Sequence, residues 1–451
     1  MIASEIIYSD LEERFNAEYY KPEFIETEKN LIRINASYLR SVARVSKLRK
    51  DPLKEPNKEF TYVDISNVST TVGDINTQKI IGYKAPTRAR KLIQTNDVII
   101  STVRPNRNAV AIVTPELNNA ICSTCFSVVK ATKINPYYLF IFFKTKYSIN
   151  QLVRKITASM YPAVSETDIA KIFIPIPPKS FQEKIEKIVK EAHEKKNIAD
   201  QKYEQAKQLL EKELRLDKLE LKEEKTFEAK FSDLNLDKRF DVEFHKPIYS
   251  KINELLEKGE KKKILIVKRL KEIGKLSKGI EVGSDAYASE GYLFLRVSNL
   301  SEKEITIGPS SEFIRSSLYE QLKEKYKPQA GEVLYTKDAT IGVSLVVEND
   351  FNEFIPSGGI VRIKPKEIDP YYLALALNSI ICRSQSKRRS IGAVIKHFTF
   401  ENIKNLKVPI LPESKQEEIS KLVRESFSLR KESKELLDKA KEEVENLIEG
   451  K

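Results

Sequence analysis

The sequence is poor in the residue types that build catalytic centres. Its 451 residues include three cysteines, three histidines and 14 glycines. The histidines, His193, His245 and His397, form no readable set with a nucleophile and an acid. With so little glycine there is no phosphate-cradling loop, which argues against binding of ATP or a methyl donor by this chain. The sequence therefore predicts a non-catalytic protein.

Long apolar runs are missing as well. No run approaches the roughly 20 residues of a membrane-spanning helix, and Met1–Asp10 has neither a cationic nor a long apolar region. The low cysteine content is typical of a reducing compartment. With 41% hydrophobic and 32% charged residues, the chain can bury two or three ordinary cores. We expect a multidomain cytoplasmic protein with no membrane partner.

Cys122 and Cys125 have the two-residue gap of a zinc or redox pair. No second pair lies nearby, so buried strand thiols are the favoured interpretation.

Two tyrosine boxes are similar to the Asn/Asp-Pro-Pro-Tyr motif with which adenine-N6 methyltransferases grip a flipped base. They are Asn135–Tyr138 and Asp369–Tyr372. Both lack the second proline, and the first opens a strongly apolar helix. We interpret each box as a helix start, with Asn or Asp as the N-cap and proline at the first helical position.

Two long helices are predicted after proline-rich segments that end at Pro178 and Pro412. Apolar or small residues recur along both at heptad spacing, which indicates that each helix packs against one partner helix. Small residues share one heptad position, so the backbones are expected to approach closely. The stripe contains Ile185, Ile188, Val189, Ala192, Ala199, Tyr203, Ala206, Leu209 and Leu210 in the first helix, and Ile419, Leu422, Ser426, Leu429, Ser433, Leu436, Ala440, Val444 and Leu447 in the second.

The chain is an internal duplication of one globule-plus-helix unit. Short motifs recur in the same order in both halves, and β-branched runs between turn residues predict a mixed α/β fold for each globule. The matching pairs are 14–22 with 239–247, 60–67 with 292–299, 97–102 with 332–337, 135–139 with 369–373, and 175–185 with 409–419.

The net charge of +13 is unevenly distributed. Residues 179–225 and 413–451 together hold 22 basic and 23 acidic side chains, so the rest of the chain holds 56 against 42. Neutral helices and positive globules suit a protein that meets a polyanion, although a lysine-rich solvated surface gives the same count.

Loops that mix basic, amide and aromatic side chains are the candidate DNA contacts, because Arg and Asn can pair with the edges of guanine and adenine. The alternative is that these loops are merely solvated. The candidates are Lys84, Arg88, Arg90, Lys91, Arg104, Asn106, Arg107, Asn108, Arg154, Lys155 and Tyr161 in the first copy, and Lys337, Lys387, Arg388, Arg389, Lys396 and His397 in the second.

Two α/β globules, each followed by a proline hinge and a long helix, resemble the specificity subunit of type I restriction-modification systems. The family's hinge reads roughly Pro-Leu-Pro-Pro-Leu-x-Glu-Gln. Ile174–Gln182 and Val408–Gln416 keep its prolines and its glutamine and lack its leucines and glutamate. The resemblance covers nearly the whole chain, and its strength lies in the duplicated order of the motifs.

The resemblance implies an α/β (mixed α+β) fold with two duplicated target-recognition globules, joined by two long antiparallel coiled-coil helices with pseudo-two-fold symmetry. Each globule would read half of a bipartite site in double-stranded DNA. The helices would set the spacing and dock two methyltransferase subunits, to which restriction subunits add. S-adenosylmethionine, ATP and magnesium would bind to those partners. The implied domains are 1–178 and 226–412 for recognition, with 179–225 and 413–451 as spacer helices.

Two other functions remain open from the sequence. One is a self-contained adenine-N6 DNA methyltransferase, which would have to bind the methyl donor. The other is a non-enzymatic coiled-coil organiser whose positive globules bind RNA or acidic protein, and which would show no preference for any duplex sequence.

Overall fold

The computed structural model divides into two compact units. The first comprises Met1–Lys196, Ile307–Pro309 and Lys431–Lys451, and the second comprises Asn197–Thr306 and Ser310–Arg430. Each unit contains one globule and one section of each long helix, and the mixed α/β character predicted from the sequence is confirmed in both. The structure describes residues 16–157, 162–216, 226–228, 239–307, 311–349, 353–392 and 396–451.

The first globule contains two four-stranded sheets. One has the order β2-β9-β6-β7 and is antiparallel, and the other has the order β4-β3-β8-β5, in which β3 and β8 run parallel. A short ribbon pairs β1 with β10. The strands are β1 (Ser37–Tyr38), β2 (Ala43–Val45), β3 (Glu59–Val63), β4 (Gln78–Ile81), β5 (Ala89–Leu92), β6 (Val98–Ser101), β7 (Val110–Ile112), β8 (Ile121–Ser123), β9 (Phe126–Ala131) and β10 (Phe173–Ile174). The helices are α1 (Pro22–Arg33), α2 (Pro136–Lys144), α3 (Lys146–Arg154) and α4 (Glu166–Ala170).

The second globule repeats this plan. Its antiparallel sheet has the order β12-β19-β16-β17, and its second sheet has the order β13-β15-β14-β18, again with one parallel pair, β14 and β18. The strands are β11 (Ile266–Arg269), β12 (Gly274–Lys278), β13 (Tyr287–Ala288), β14 (Tyr292–Leu295), β15 (Glu312–Ile314), β16 (Val333–Thr336), β17 (Ser344–Val346), β18 (Phe354–Pro356), β19 (Ile360–Pro365) and β20 (Lys407–Ile410). The helices, numbered after the long α5 (Lys179–Glu213), are α6 (Pro247–Lys261), α7 (Leu270–Ile273), α8 (Ser316–Tyr326), α9 (Pro370–Asn378), α10 (Ile380–Arg389) and α11 (Phe400–Lys404).

The two tyrosine boxes are helix caps. The Asn135 side chain accepts hydrogen bonds from the first turn of α2, and Asp369 does the same for α9. The buried Tyr138 hydroxyl donates to the Pro175 carbonyl at 3.1 Å, and Tyr372 donates to Pro409 at 2.9 Å. Each box therefore ties its apolar helix to the proline hinge, which is a structural role and not the grip on a flipped base.

The long helices, α5 and α12 (Glu413–Glu449), pair antiparallel within each unit. In the first unit the Ser433 hydroxyl donates to the Ala192 carbonyl at 2.7 Å. In the second unit Ser426 donates to the Ala199 carbonyl, also at 2.7 Å. A serine hydroxyl can reach the backbone of the facing helix only if the two backbones lie close together. The predicted close approach of the small residues is therefore observed.

Two details of the helix prediction differ from the structure. Helix α5 ends at Glu213 and not at Lys225, because Arg215 adopts a left-handed backbone conformation with φ 58° that interrupts the helix. Residues 217–225 lie outside the described ranges. On α12 the larger apolar side chains that face α5 lie one residue later than predicted. Ser426 and Ser433 occupy the positions where the two helices approach most closely. The buried side chains are Val423, Leu437 and Ile448, whereas Leu422, Leu436 and Leu447 are half-buried.

Replacing Ala199 with leucine is expected to overpack the interface between α5 and α12. Ala199 is fully buried, and its carbonyl already accepts the serine hydroxyl of the facing helix. The added side chain would force the helices apart, at a cost of about 1–3 kcal/mol. Urea unfolding would show a lower midpoint for Ala199→Leu than for Gln201→Leu, an exposed position on the same helix. Equal midpoints for the two variants would contradict the close packing.

Among the helices in the described ranges, none is both long enough and apolar enough to cross a membrane.

Candidate nucleic-acid interface

The loop between β6 and β7, residues 102–109, carries the densest group of candidate contacts in the first globule. Its centre is a 3-10 turn, Pro105–Arg107, with left-handed residues on both sides, Arg104 (φ 49°) and Asn108 (φ 50°). Positive φ is uncommon outside glycine, so the loop has a tightly defined shape. Arg104 and Asn106 are exposed and Arg107 is half-buried. We call residues 102–109 the first reading loop.

Backbone hydrogen bonds join this loop to two neighbouring segments. The Arg104 amide donates to the Pro162 carbonyl at 2.7 Å, and Val103 forms a β-bridge with Ala163. On the other side, the amide of Thr102 donates to Cys125 and that of Thr124 donates to Arg88, both at 2.8 Å. The surface around the loop is therefore continuous from the Arg88 segment to the chain before α4.

Three candidates near strands β4 and β5 lie on the surface of the first globule. The Arg88 side chain is 52% exposed and pairs with Asp64, whose negative charge raises the pKa of the arginine. Lys84 is exposed, with its ammonium 5.4 Å from the ring centroid of Tyr83. The half-buried Arg90 donates to the Ala89 carbonyl at 2.9 Å. These side chains can meet phosphates or base edges only at the cost of their present contacts.

The equivalent loop of the second globule lies between β16 and β17, residues 337–343, and is called the second reading loop. The Lys337 amide donates to the Gly359 carbonyl and the Ala339 amide donates to Lys396, each at 2.9 Å. A β-bridge joins Asp338 to His397. The structure thus brings together Lys337, Lys396 and His397, which the sequence places in two separate stretches.

Asp338 is a further candidate contact that the sequence did not single out. Its carboxylate lies 2.7 Å from Lys337 Nζ and 2.8 Å from His397 Nδ1. A Cβ on Gly359 would lie 3.4 Å from the same carboxylate, so the glycine leaves room beside it. A carboxylate can accept a hydrogen bond from the cytosine amino group. The signal was the match of 97–102 with 332–337, which ends one residue before Asp338.

Two candidate contacts in the first globule are occupied inside the protein. Lys91 is 7% exposed, and its ammonium donates to Glu166 at 2.7 Å and to the Phe126 carbonyl. Asn108 is 9% exposed and donates to the Lys144 carbonyl at 3.3 Å. Both side chains donate to internal partners, so a DNA contact by either one would require these hydrogen bonds to break.

Arg154 and Arg388 are half-buried, and they form the same contact in the two globules. Arg154 Nε donates to the Tyr19 carbonyl at 3.0 Å, and the guanidinium lies 4.1 Å from the Tyr19 ring centroid. Arg388 Nε donates to the Phe244 carbonyl at 3.0 Å and lies 4.3 Å from that ring. Each arginine holds the first turn of its globule against α3 or α10. A DNA contact by either arginine would likewise require these internal contacts to break.

The remaining candidates are distributed over other surfaces. Lys155 is half-buried just after α3, whereas Lys387 and Arg389 are exposed in the last turn of α10. Tyr161 lies outside the described residues.

The cysteines behave as isolated thiols. Burial raises the pKa of Cys122 and of Cys382 to about 12, and both are completely buried. Cys125 is only half-buried. Within the part of the chain that the structure describes, no group of three or more His, Cys, Asp and Glu side chains is arranged to hold a metal ion. The predicted buried thiols are thus found at Cys122 but not fully at Cys125.

Alkylation is expected to separate these thiols. At pH 8 the thiolate is the reactive form, so iodoacetamide would modify Cys125 in the folded chain while Cys122 and Cys382 react only after unfolding. Peptide mass mapping of the native and the urea-treated protein measures this order. Rapid native labelling of Cys122 would contradict its position in the interior.

Comparisons with known proteins agree on one family. A family model described as "Type I restriction modification DNA specificity domain" matches residues 36–208 and 251–442. The HindI type I restriction enzyme specificity subunit of Haemophilus influenzae is 24% identical over 137 residues, which are 30% of this chain and 27% of that relative.

Two solved structures align with most of the chain. The HsdS subunit from Thermoanaerobacter tengcongensis is 22% identical, with 91% of this chain and 95% of that chain covered and a TM-score of 0.34. The S subunit of a type I restriction-modification system from M. genitalium is 12% identical, with 91% and 94% covered and a TM-score of 0.38. The two segments that match the family model span both globules and parts of both long helices. They make up well over half of the sequence, and the chain therefore belongs to the family of type I restriction-modification DNA specificity domains.

Proposed function

We propose that this chain selects the DNA sequence for a type I restriction-modification complex, with each globule reading one half of a bipartite site. As a member of its family the chain is a specificity component and not the catalyst. The observation that carries the proposal is the pair of reading loops. They occupy the same position between equivalent strands of equivalent sheets, yet they present different side chains. Arg104 and Asn106 stand on one, and Lys337 and Asp338 on the other.

Different chemistry at one position is expected if the two globules read different bases. Arginine and asparagine pair with guanine and adenine, whereas a carboxylate accepts from cytosine. The scaffold under the loops is maintained more closely, as the paired caps at Asn135 and Asp369 illustrate. A positive surface alone would not require the same sheet in both globules together with different side chains in the loop.

The charge distribution supports a duplex as the ligand. The excess positive charge lies outside the two long helices, where the globules would meet phosphates, and phosphate contacts supply most of the non-specific affinity for DNA. Base contacts from the reading loops would then add the sequence preference.

The helices have a separate role in the proposal. Residues 179–225 and 413–451 would set the distance between the half-sites and dock two methyltransferase subunits, to which restriction subunits add. Residues 1–178 and 226–412 would be the recognition domains. S-adenosylmethionine, ATP and magnesium would be bound by the partner subunits, and the complex would act in the cytoplasm.

Selection from a random DNA library tests the proposal. The full chain, assembled with a methyltransferase partner, would be expected to enrich two short blocks of fixed sequence separated by a constant number of unselected base pairs. Enrichment of one continuous block, or of no sequence at all, would contradict bipartite reading. Equal affinity for RNA and duplex DNA would favour the coiled-coil organiser instead.

A further inference from the structure

A buried lysine lies directly beneath the first reading loop. Lys144 is the last residue of α2, whose residues from Tyr138 onwards are all buried. Its Nζ donates to the Thr70 carbonyl at 2.7 Å and to the backbone carbonyl of Asn108 at 3.3 Å. In return, the side-chain Nδ2 of Asn108 donates to the Lys144 carbonyl at 3.3 Å. The lysine and the loop residue thus hold each other by two hydrogen bonds.

Asn108 is a sensitive point of the loop. Its backbone has a φ of 50°, in the left-handed region that few residues other than glycine adopt, although asparagine adopts it more often than most. It is also the residue through which the loop returns to β7. A contact that holds Asn108 therefore holds the backbone from which Arg104 and Asn106 extend.

The second globule has the same arrangement with a different side chain. Asn378, the last residue of α9, accepts from the Ser344 amide and donates to the Ser344 carbonyl, both at 2.8 Å. Ser344 is the first residue of β17, where the second reading loop ends. The final residue of the apolar helix thus closes a reciprocal pair of hydrogen bonds beneath the reading loop in both globules.

We propose that Lys144 is the positioning residue of the first reading loop and that Asn378 is its counterpart for the second. Neither residue contacts DNA in this proposal, which rests on the proposed function. Each fixes the loop so that the exposed side chains meet the bases in one geometry. A fixed geometry matters because hydrogen bonds to base edges require aligned donors and acceptors, whereas phosphate contacts tolerate movement. Loss of the contact therefore removes base selection before it removes affinity.

The two positioning residues differ in charge. Burial is the main cause that lowers the pKa of Lys144 to about 7; the neighbouring ammonium of Lys441 acts in the same direction, and the carboxylates of Asp74 and Asp438 oppose it. The neutral amine has two N–H groups, which match the two carbonyls that accept from it. If the loop moved away and exposed the Lys144 side chain to water, the pKa of the lysine would return to an ordinary value of about 10.4.

The closed loop is consequently coupled to pH. Between pH 7 and pH 10 the opened loop binds a proton on Lys144 that the closed loop does not, so closure becomes more favourable as the pH rises, by at most about tenfold per pH unit. Below pH 7 both forms carry the proton and the dependence ends. Asn378 does not titrate, so the second reading loop lacks this dependence.

The experiment compares base selection at each half-site by the full chain with its methyltransferase partner. Lys144→Met keeps the apolar stem and removes the donors. It is expected to reduce discrimination at the first half-site by about tenfold or more, the value of one good base contact, while non-specific affinity and the second half-site stay unchanged. Asn378→Ala is the matched variant. It is expected to reduce discrimination at the second half-site and to leave the first half-site unchanged. Asn108→Gly is expected to cause the same loss of discrimination as Lys144→Met, because glycine tolerates the left-handed backbone and the change removes the side-chain amide that donates to Lys144.

The pH profile separates positioning from a merely structural role. From pH 7 to pH 9 the parent is expected to gain discrimination at the first half-site relative to the second, and Lys144→Met is expected to lose this trend. The inference is wrong if folded Lys144→Met and Asn108→Gly keep full selection at the first half-site, or if parent and Lys144→Met share one pH profile. If the parent itself selects no bipartite site, it is the proposed function that fails.

Discussion

Replacing Arg104 and Asn106 together with alanine is expected to abolish base selection at one half of the recognised site and to leave the other half intact. Both side chains are exposed on the first reading loop, and alanine keeps the backbone amide with which Arg104 donates to Pro162. One bidentate pair between a side chain and a base accounts for about 1–3 kcal/mol of discrimination, so the loss is expected to reach tenfold to a hundredfold or more. Methylation or binding across libraries with each half-site randomised separately measures it.

The second globule provides the matched variant. Substituting Lys396 and His397 with alanine is expected to affect only the other half-site, because both belong to the segment bridged to the second reading loop. Arg44→Ala removes an exposed charge outside either loop and controls for the general loss of positive charge. A first variant that disturbs both half-sites equally, while remaining folded, would show that the loops do not divide recognition between the globules.

Removing Arg154 is expected to destabilise the first globule without changing its DNA chemistry. The Arg154 side chain is 9% exposed and pairs with Glu28, which is 30% exposed. Arg154→Met would leave that carboxylate and the Tyr19 carbonyl without their donor. Breaking such a pair from one side costs about 3 kcal/mol, near the lower limit for buried pairs because Glu28 keeps contact with water. Urea unfolding of the full chain measures the loss.

Salt dependence distinguishes this role from a phosphate contact. Arg154→Met, and Arg388→Met in the second globule, are expected to leave unchanged the slope of the logarithm of the DNA-binding constant against the logarithm of the salt concentration. Arg389→Ala, at an exposed position, is expected to lower the slope by about one if it meets a phosphate, with little change in stability. If Arg154→Met were as stable as the parent and showed a reduced slope, Arg154 would be a phosphate contact and not a structural residue.

The features that could be predicted from the sequence depend on local chemistry or on the duplication. Asn135 and Asp369 precede a proline and an apolar run, and this is enough to identify a capped helix. The alanines and serines at heptad spacing predict a close helix pair for the same reason. Repeated motifs in matching order indicate two copies of one globule without any knowledge of the tertiary structure.

The structure adds most at basic residues whose partners lie far along the chain. Arg154 contacts a carbonyl 135 residues away, and Arg388 one that is 144 residues away. A local pattern of Arg, Lys and Ser describes an exposed loop equally well whether or not a distant aromatic ring covers it. Asp338 was missed for the opposite reason, since an acidic residue is not expected at a DNA interface until the structure places it beside a lysine and a histidine.

The helix pair has a consequence for the order in which the protein is made. The first unit includes Lys431–Lys451, which are translated after all of the second unit. In that unit, Ile185, Val189 and Ala192 of α5 share one buried cluster with Leu437, Ala440 and Val444 of α12, and Arg33 donates to the Ile448 carbonyl at 3.2 Å. During synthesis these α5 residues lack their α12 contacts until Leu437, Ala440 and Val444 have been made. The first unit to be translated is thus completed only after the second unit has been translated, and a nascent chain that stops before Lys431 exposes these apolar residues to aggregation.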